Sequence, residues 1–155
     1  MRTEIAENRV VIWDQKKGEE IFNEYYIGKL KEGRLELALV EAAWLLEQKK
    51  IKLEGQEKFL EHCRKIDNRF DVRFAVYKDL RSRGLPTRTG FKFGCDFRVY
   101  QKGVKPLKRG PKAAGEHTKW IVFAVPDGFT FSFPELSRAV RLAHNIRANM
   151  LWAVV

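Results

Sequence analysis

The feature that most constrains this chain is a run of six apolar residues, Trp120–Val125 (WIVFAV). Such a run is far shorter than the roughly 20 residues that a membrane helix needs, and it is typical of a β-strand covered on both faces. Pro126, Asp127 and Gly128 follow it and favour a turn. The run therefore predicts a central strand in the second half of the chain.

The remaining hydrophobic pattern divides into a helix-rich first part and a strand-rich second part. It predicts helices over residues 35–50, 56–64, 73–83 and 134–145, and a brief helix or irregular segment over 21–28. It also predicts strands or extended segments over residues 9–13, 51–53, 91–99 and 150–155. We place a domain boundary near Asn68.

The chain carries a strong excess of positive charge. Its 30 Lys and Arg against 20 Asp and Glu give a net charge of +10. This field attracts polyanions, but it does not by itself distinguish RNA, DNA and an anionic membrane. The two cysteines, Cys63 and Cys95, show no metal-binding spacing, and the charged N-terminus has no signal region. We therefore expect a soluble, cytoplasmic protein with reduced thiols and no membrane partner.

Four motifs in the second half occur in a family-specific order. They are YKDLRSRG (77–84), TGFKFGCDFRVY (89–100), EH (116–117) before the apolar strand, and RAVRLAHNIR (138–147). Together they resemble the archaeal tRNA-splicing endonuclease family. The first half is similar through LELALVEAAWLLEQKKIKL. The resemblance implies an α/β (α+β) fold: an N-terminal helix-and-sheet domain over residues 1–68, then a restriction-endonuclease-like mixed-sheet catalytic domain over 69–155. The family's final strand is expected to be absent.

The resemblance also implies a reaction. Family enzymes cut precursor tRNA at bulge–helix–bulge intron junctions without a metal or cofactor. The ribose 2′-hydroxyl attacks the phosphorus, leaving a 2′,3′-cyclic phosphate and a 5′-hydroxyl. A base, an acid and a cation are needed, and the family uses tyrosine, histidine and lysine. By resemblance Tyr100 is the base and His117 the acid, whereas Ala148 occupies the position of the lysine.

The alanine leaves several explanations open. We favour deliberate replacement of the lysine, because Tyr100 and His117 are both retained. Alternatively, Arg147 or a loop lysine substitutes, or the chain is a naturally inactive subunit. Arg147 is a poor substitute if it continues the helix, because it then points about 100° away. Restoring Ala148→Lys is expected to raise cleavage strongly.

RNA binding is predicted for a basic loop over residues 101–116, which resembles the insertion of crenarchaeal-type enzymes, and for Arg141. The arginine occupies the family position that stacks on a bulge base. The predicted RNA-binding residues are Lys102, Lys105, Lys108, Arg109, Lys112 and Arg141. The expected partner is another endonuclease subunit, in a homo- or hetero-oligomer.

Two other functions were weighed. One is a catalytically inactive or structural subunit that binds RNA and a partner. The other is a DNA nuclease, whose chemistry usually needs an acidic metal cluster. Asp96 and Asp127 do not form a convincing one.

Overall fold

A computed structural model describes residues 1–106, 111–113 and 115–155. The chain divides into two compact units, Met1–Phe74 and Ala75–Val155. Within the described residues, no helix has the length and apolar character that a bilayer crossing requires.

The first unit is an antiparallel sheet with helices packed against it. Its strand order is β1-β2-β4-β3, and its core includes Val10, Ile12, Leu35 and Leu37. A 3₁₀ turn at Gln56–Lys58 precedes the third helix. The elements are β1 (Thr3–Ala6), β2 (Arg9–Ile12), α1 (Gln15–Tyr25), β3 (Lys29–Lys31), β4 (Arg34–Ala38), α2 (Leu39–Glu47), α3 (Phe59–Ile66) and the start of α4 (Phe70–Ser82).

The second unit contains a mixed sheet of order β5-β6-β7-β8. Strands β5, β6 and β7 are antiparallel, whereas β8 runs parallel to β7. A parallel pair requires a crossover connection, which α5 supplies. The elements are β5 (Thr87–Thr89), a 3₁₀ turn (Phe91–Phe93), β6 (Phe97–Val99), β7 (Trp120–Val125), α5 (Phe133–Asn145) and β8 (Asn149–Val154). Mixed α/β architecture with a mixed sheet in the second half is therefore confirmed.

The two faces of this second sheet have different neighbours. On one face Ile121 clusters with Ala143 of α5 and with Phe123 and Met150. On the other face Trp120 and Leu151 line an open cavity of about 620 Å³ together with side chains of α4. Because successive residues of a strand point to opposite faces, the central strand is covered on both sides, as its apolar sequence predicts.

Three local predictions were wrong. Residues 35–50 form the end of β4 followed by α2 rather than one helix. Residues 51–53 belong to no strand. Phe91–Phe93 is a 3₁₀ turn rather than extended chain, because Gly94 adopts a φ of 81° and closes the turn.

Candidate active site

One end of the second sheet brings the predicted catalytic positions Tyr100 and Ala148 together. Val99 pairs with Trp120, and Trp120 pairs with Asn149. The hydrogen bonding continues one residue further, since the Lys119 N–H donates to Val99 O (2.9 Å) and the Asn149 N–H donates to Lys119 O (2.9 Å). Tyr100 directly follows β6, and Lys119 and Ala148 directly precede β7 and β8, so the three lie side by side at one end of the sheet; we call these three residues the edge row.

Alternation of side chains along the strands directs the edge row toward the sheet face that α5 covers. Lys119 precedes Ile121 by two residues and Ala148 precedes Met150 by two, and both Ile121 and Met150 belong to the α5-side cluster. Arg98 is paired with Ile121, so Tyr100, two residues later, starts on the same face. The Ala148 methyl group thus lies on the α5 face, and alternation along the strands directs the side chains of Tyr100 and Lys119 toward the same face. The Lys119 ammonium, however, ends 6.0 Å from the centre of the ring of Trp120, which lines the cavity on the α4 face.

Tyr100 is held firmly in place. Its N–H donates to Pro86 O at 3.0 Å, and only 4% of the residue is exposed. Packing therefore restricts the ring to few rotamers, which is a requirement for a group that has to meet a particular ribose.

His117 is exposed and lies two residues before Lys119. The two ends of the basic loop lie close together. A Cβ added at Gly115 would lie 3.3 Å from Oε1 of Gln101, the residue that follows Tyr100. The structure thus brings the backbone around His117 to the end of the sheet where Tyr100 lies.

The side chain of Ala148 is uncharged, so this position of the edge row has no cation. Its N–H donates to Ala143 O at 3.0 Å, and its methyl group packs against the Cys95–Ile121–Ala143 cluster. Arg147 does not continue the helix. Helix α5 ends at Asn145, and Arg147 has a left-handed φ of 55°, so the argument that it points 100° away along a helix is wrong. A tight turn, not a helical repeat, sets its direction.

The predicted RNA-binding residues are distributed over two elements. Lys102, Lys105 and Lys112 are exposed, and the Lys102 side chain passes close to Gly84. Lys108 and Arg109 lie outside the described residues. Arg141 is exposed on α5 beside a shallow open pocket that Phe133, Leu136, Ser137, Val140 and His144 also line.

Asp96 has a structural role in the described chain. It is 2% exposed, and its carboxylate accepts a hydrogen bond from the Ala124 N–H at 2.7 Å, joining β7 to the start of β6. Among the described residues, no group of three or more His, Cys, Asp or Glu side chains is arranged to hold a metal ion.

Cys95 does not provide a nucleophile. Burial, and secondarily the charge of Asp96, raise the pKa of its thiol to about 11. At neutral pH the sulfur therefore remains protonated, and only a thiolate is a strong nucleophile.

The sequence analysis missed Lys119. Its backbone is bonded to both neighbouring strands, its side chain is half-buried, and its ammonium lies 6.0 Å from the centre of the Trp120 ring. Among the described residues, no carboxylate lies within salt-bridge distance of this ammonium. The available signal was its position two residues after His117, immediately before the apolar strand.

Comparison with known proteins agrees with this architecture. Residues 70–155 match the family model described as tRNA intron endonuclease, catalytic C-terminal domain, and residues 1–62 match that of its N-terminal domain. The chain belongs to the tRNA intron endonuclease family.

Curated relatives extend the similarity over most of the chain. A tRNA-splicing endonuclease of Thermococcus onnurineus is 40% identical over 91% of this chain and 80% of its own length. The tRNA-splicing endonuclease of Thermococcus kodakarensis is 38% identical over 97% of this chain and 88% of its own length. That of Methanococcoides burtonii is 34% identical over 96% of this chain but only 43% of its own length.

Proposed function

We propose that this chain is a tRNA-splicing endonuclease subunit that cleaves precursor tRNA at bulge–helix–bulge intron junctions. The observation that carries the proposal is the edge row together with the loop that returns to it. They bring Tyr100 and the chain around His117 to one end of a sheet that matches the family's catalytic domain. A cytoplasmic location goes with this substrate.

The chemistry needs only the RNA and protein side chains. Tyr100, as phenolate, removes the proton from the ribose 2′-hydroxyl, and the 2′ oxygen forms a bond to phosphorus. The bond from phosphorus to the 5′ oxygen breaks, and His117 as imidazolium gives that oxygen its proton. The products are a 2′,3′-cyclic phosphate and a 5′-hydroxyl. Imidazoles ordinarily titrate near neutrality, which suits an acid, whereas a phenol needs nearby cations to act as a base.

The surroundings of the edge row are suited to RNA. Exposed Lys102, Lys105 and Lys112 lie on the loop that joins the proposed base to the proposed acid, and the chain has a net charge of +10. Arg141 is exposed on α5, where a guanidinium plane can stack on a splayed base. Phosphate contacts of this kind position an RNA, and its unpaired bases supply recognition.

A second candidate function is an inactive subunit that binds RNA and positions an active partner. Ala148 favours it, because a methyl group cannot stabilise the charge that develops on the phosphate. The retention of both Tyr100 and His117 in the sequence favours the active subunit. Assembly with another endonuclease subunit belongs to both proposals.

The test uses a bulge–helix–bulge RNA with the purified chain in excess, in buffer containing EDTA. We expect cleavage at the bulges, with fragments that carry 2′,3′-cyclic phosphate and 5′-hydroxyl ends. A matched RNA with a single 2′-deoxynucleotide at each junction should bind equally well and stay uncut, because it lacks the attacking oxygen. Cleavage of the deoxy substrate, or activity that EDTA abolishes, would contradict the mechanism. Binding without cleavage of either RNA would favour the inactive subunit.

A further inference from the structure

The edge row holds a lysine beside the position where this chain lacks one. We propose that Lys119 supplies the cation of the cleavage reaction, taking over the role of the family lysine at Ala148. This inference rests on the proposed function, since it requires that the chain cleaves RNA. Lys119 directly precedes β7, whereas Ala148 lies on the segment that follows α5.

Register places the two positions on neighbouring strands. Trp120 pairs with Asn149 in the parallel ladder, so Lys119 lies directly beside Ala148 and on the other side beside Tyr100. Adjacent strands are about 4.8 Å apart, and a lysine carries its ammonium on a flexible four-carbon stem. The flexible stem therefore allows the Lys119 ammonium to leave the Trp120 ring and to reach the space above the Ala148 methyl group.

Hydrogen bonds hold the backbone of Lys119, whereas its ammonium makes only a weak contact within the described residues. Its N–H donates to Val99 O, and its carbonyl oxygen accepts from the Asn149 N–H and, at 3.4 Å, from Asn149 Nδ2. Its only described side-chain partner is the Trp120 ring, at the outer limit of a cation–π contact. No carboxylate of the described residues neutralises the charge. A phosphate would therefore displace only this weak contact.

The surroundings of position 148 suit an alanine. Its methyl group completes the apolar cluster of Cys95, Ile121 and Ala143, and Lys119 occupies the adjacent position on the neighbouring chain segment.

The experiment compares single-turnover cleavage, with the chain in saturating excess over the RNA, for four proteins: the unsubstituted chain, Lys119→Gln, Ala148→Lys and the double variant. Lys119→Gln keeps most of the stem and removes the charge. We expect it to lower the rate about 100-fold or more, as loss of one transition-state contact does, and to leave the dissociation constant for RNA within about threefold. Lys65→Ala, at an exposed position in the first unit, is the control and should change neither quantity.

The double variant distinguishes a catalytic role of Lys119 from a structural one. If Lys119 and a lysine at position 148 serve the same phosphate, Ala148→Lys should restore most of the rate in the Lys119→Gln background. It should add much less to the unsubstituted chain, in contrast to the strong gain expected if position 148 alone supplies the cation. A structural role of Lys119 through Trp120 would not be rescued from β8, and thermal unfolding of each variant would report it directly.

The remaining outcomes separate the two proposals. If the unsubstituted chain cleaves and Lys119→Gln cleaves equally fast, or if Ala148→Lys fails to rescue, the assignment of Lys119 is wrong and the proposed function stands. If only chains with Ala148→Lys cleave, the family position is required and Lys119 does not replace it. If neither the unsubstituted chain nor Ala148→Lys cleaves, the proposed function itself is overturned.

Discussion

The edge row depends on single residues whose substitution has definable consequences. Tyr100 and Ala148 were identified from sequence because Tyr100 ends one family motif and Ala148 directly follows another. Lys119 was not, because one lysine before an apolar strand has no distinguishing pattern. Its proximity to Ala148 follows from a register between residues 29 positions apart, and hydrophobic periodicity contains no information on register between distant strands.

Gly90 gives a prediction at the residue scale. It is buried, and a Cβ added to it would collide with the Cys95 sulfur. Gly90→Ala is therefore expected to lower the free energy of unfolding by about 1–3 kcal/mol through overpacking. Chemical denaturation measures this loss.

The control for Gly90→Ala is a substitution of Cys95, whose sulfur the added Cβ would meet. Adding Cys95→Ala removes the sulfur atom, so the double variant should be more stable than the sum of the two single effects predicts. Strict additivity would show that the two side chains do not meet.

At the level of elements, the sequence predicted helices best and short strands least well. Residues 35–50 contain apolar residues at both helical and alternating spacing, and Leu35 and Leu37 are buried in β4. No glycine or proline separates β4 from α2, so the periodicity alone could not show the change. Pairing of β4 with β2 and β3 makes this segment a strand, and these pairings are not local in sequence.

Glu41 stabilises the junction between β4 and α2, which the sequence pattern did not reveal. It is 3% exposed, and its carboxylate accepts hydrogen bonds from the Ala38 N–H (2.8 Å), which caps α2, and from the Gly28 N–H (2.9 Å). Glu41→Ala leaves both donors without this partner and should cost about 3 kcal/mol of unfolding free energy. The exposed Glu20→Ala, measured in the same denaturation series, should cost little. Equal effects of the two substitutions would remove Glu41 from this role.

For the whole molecule, the charge of +10 implies that RNA binding weakens as salt rises. Removing Lys102, Lys105 and Lys112 together should reduce the slope of log K against log salt by about 2–3, since each lysine on a phosphate accounts for about one unit. Filter binding or fluorescence anisotropy across a salt series measures the slope.

A matched triple variant tests whether position matters. Lys29→Ala, Lys49→Ala and Lys65→Ala together remove the same charge from exposed sites in the first unit. They should change the slope much less than the loop variant does. If both triple variants change it equally, general charge rather than the loop holds the RNA.

The central claim is that Tyr100 and His117 act on one phosphodiester. Its most direct test is single-turnover cleavage in EDTA by Tyr100→Phe, His117→Ala and the pair. Each single variant should lose about 10²- to 10⁴-fold in rate, and the pair should lose far less than the product of the two losses, because the groups act in one step. Tyr26→Phe and His62→Gln, both in the first unit, serve as controls. Cleavage by either single variant within about threefold of the unsubstituted chain would contradict the mechanism.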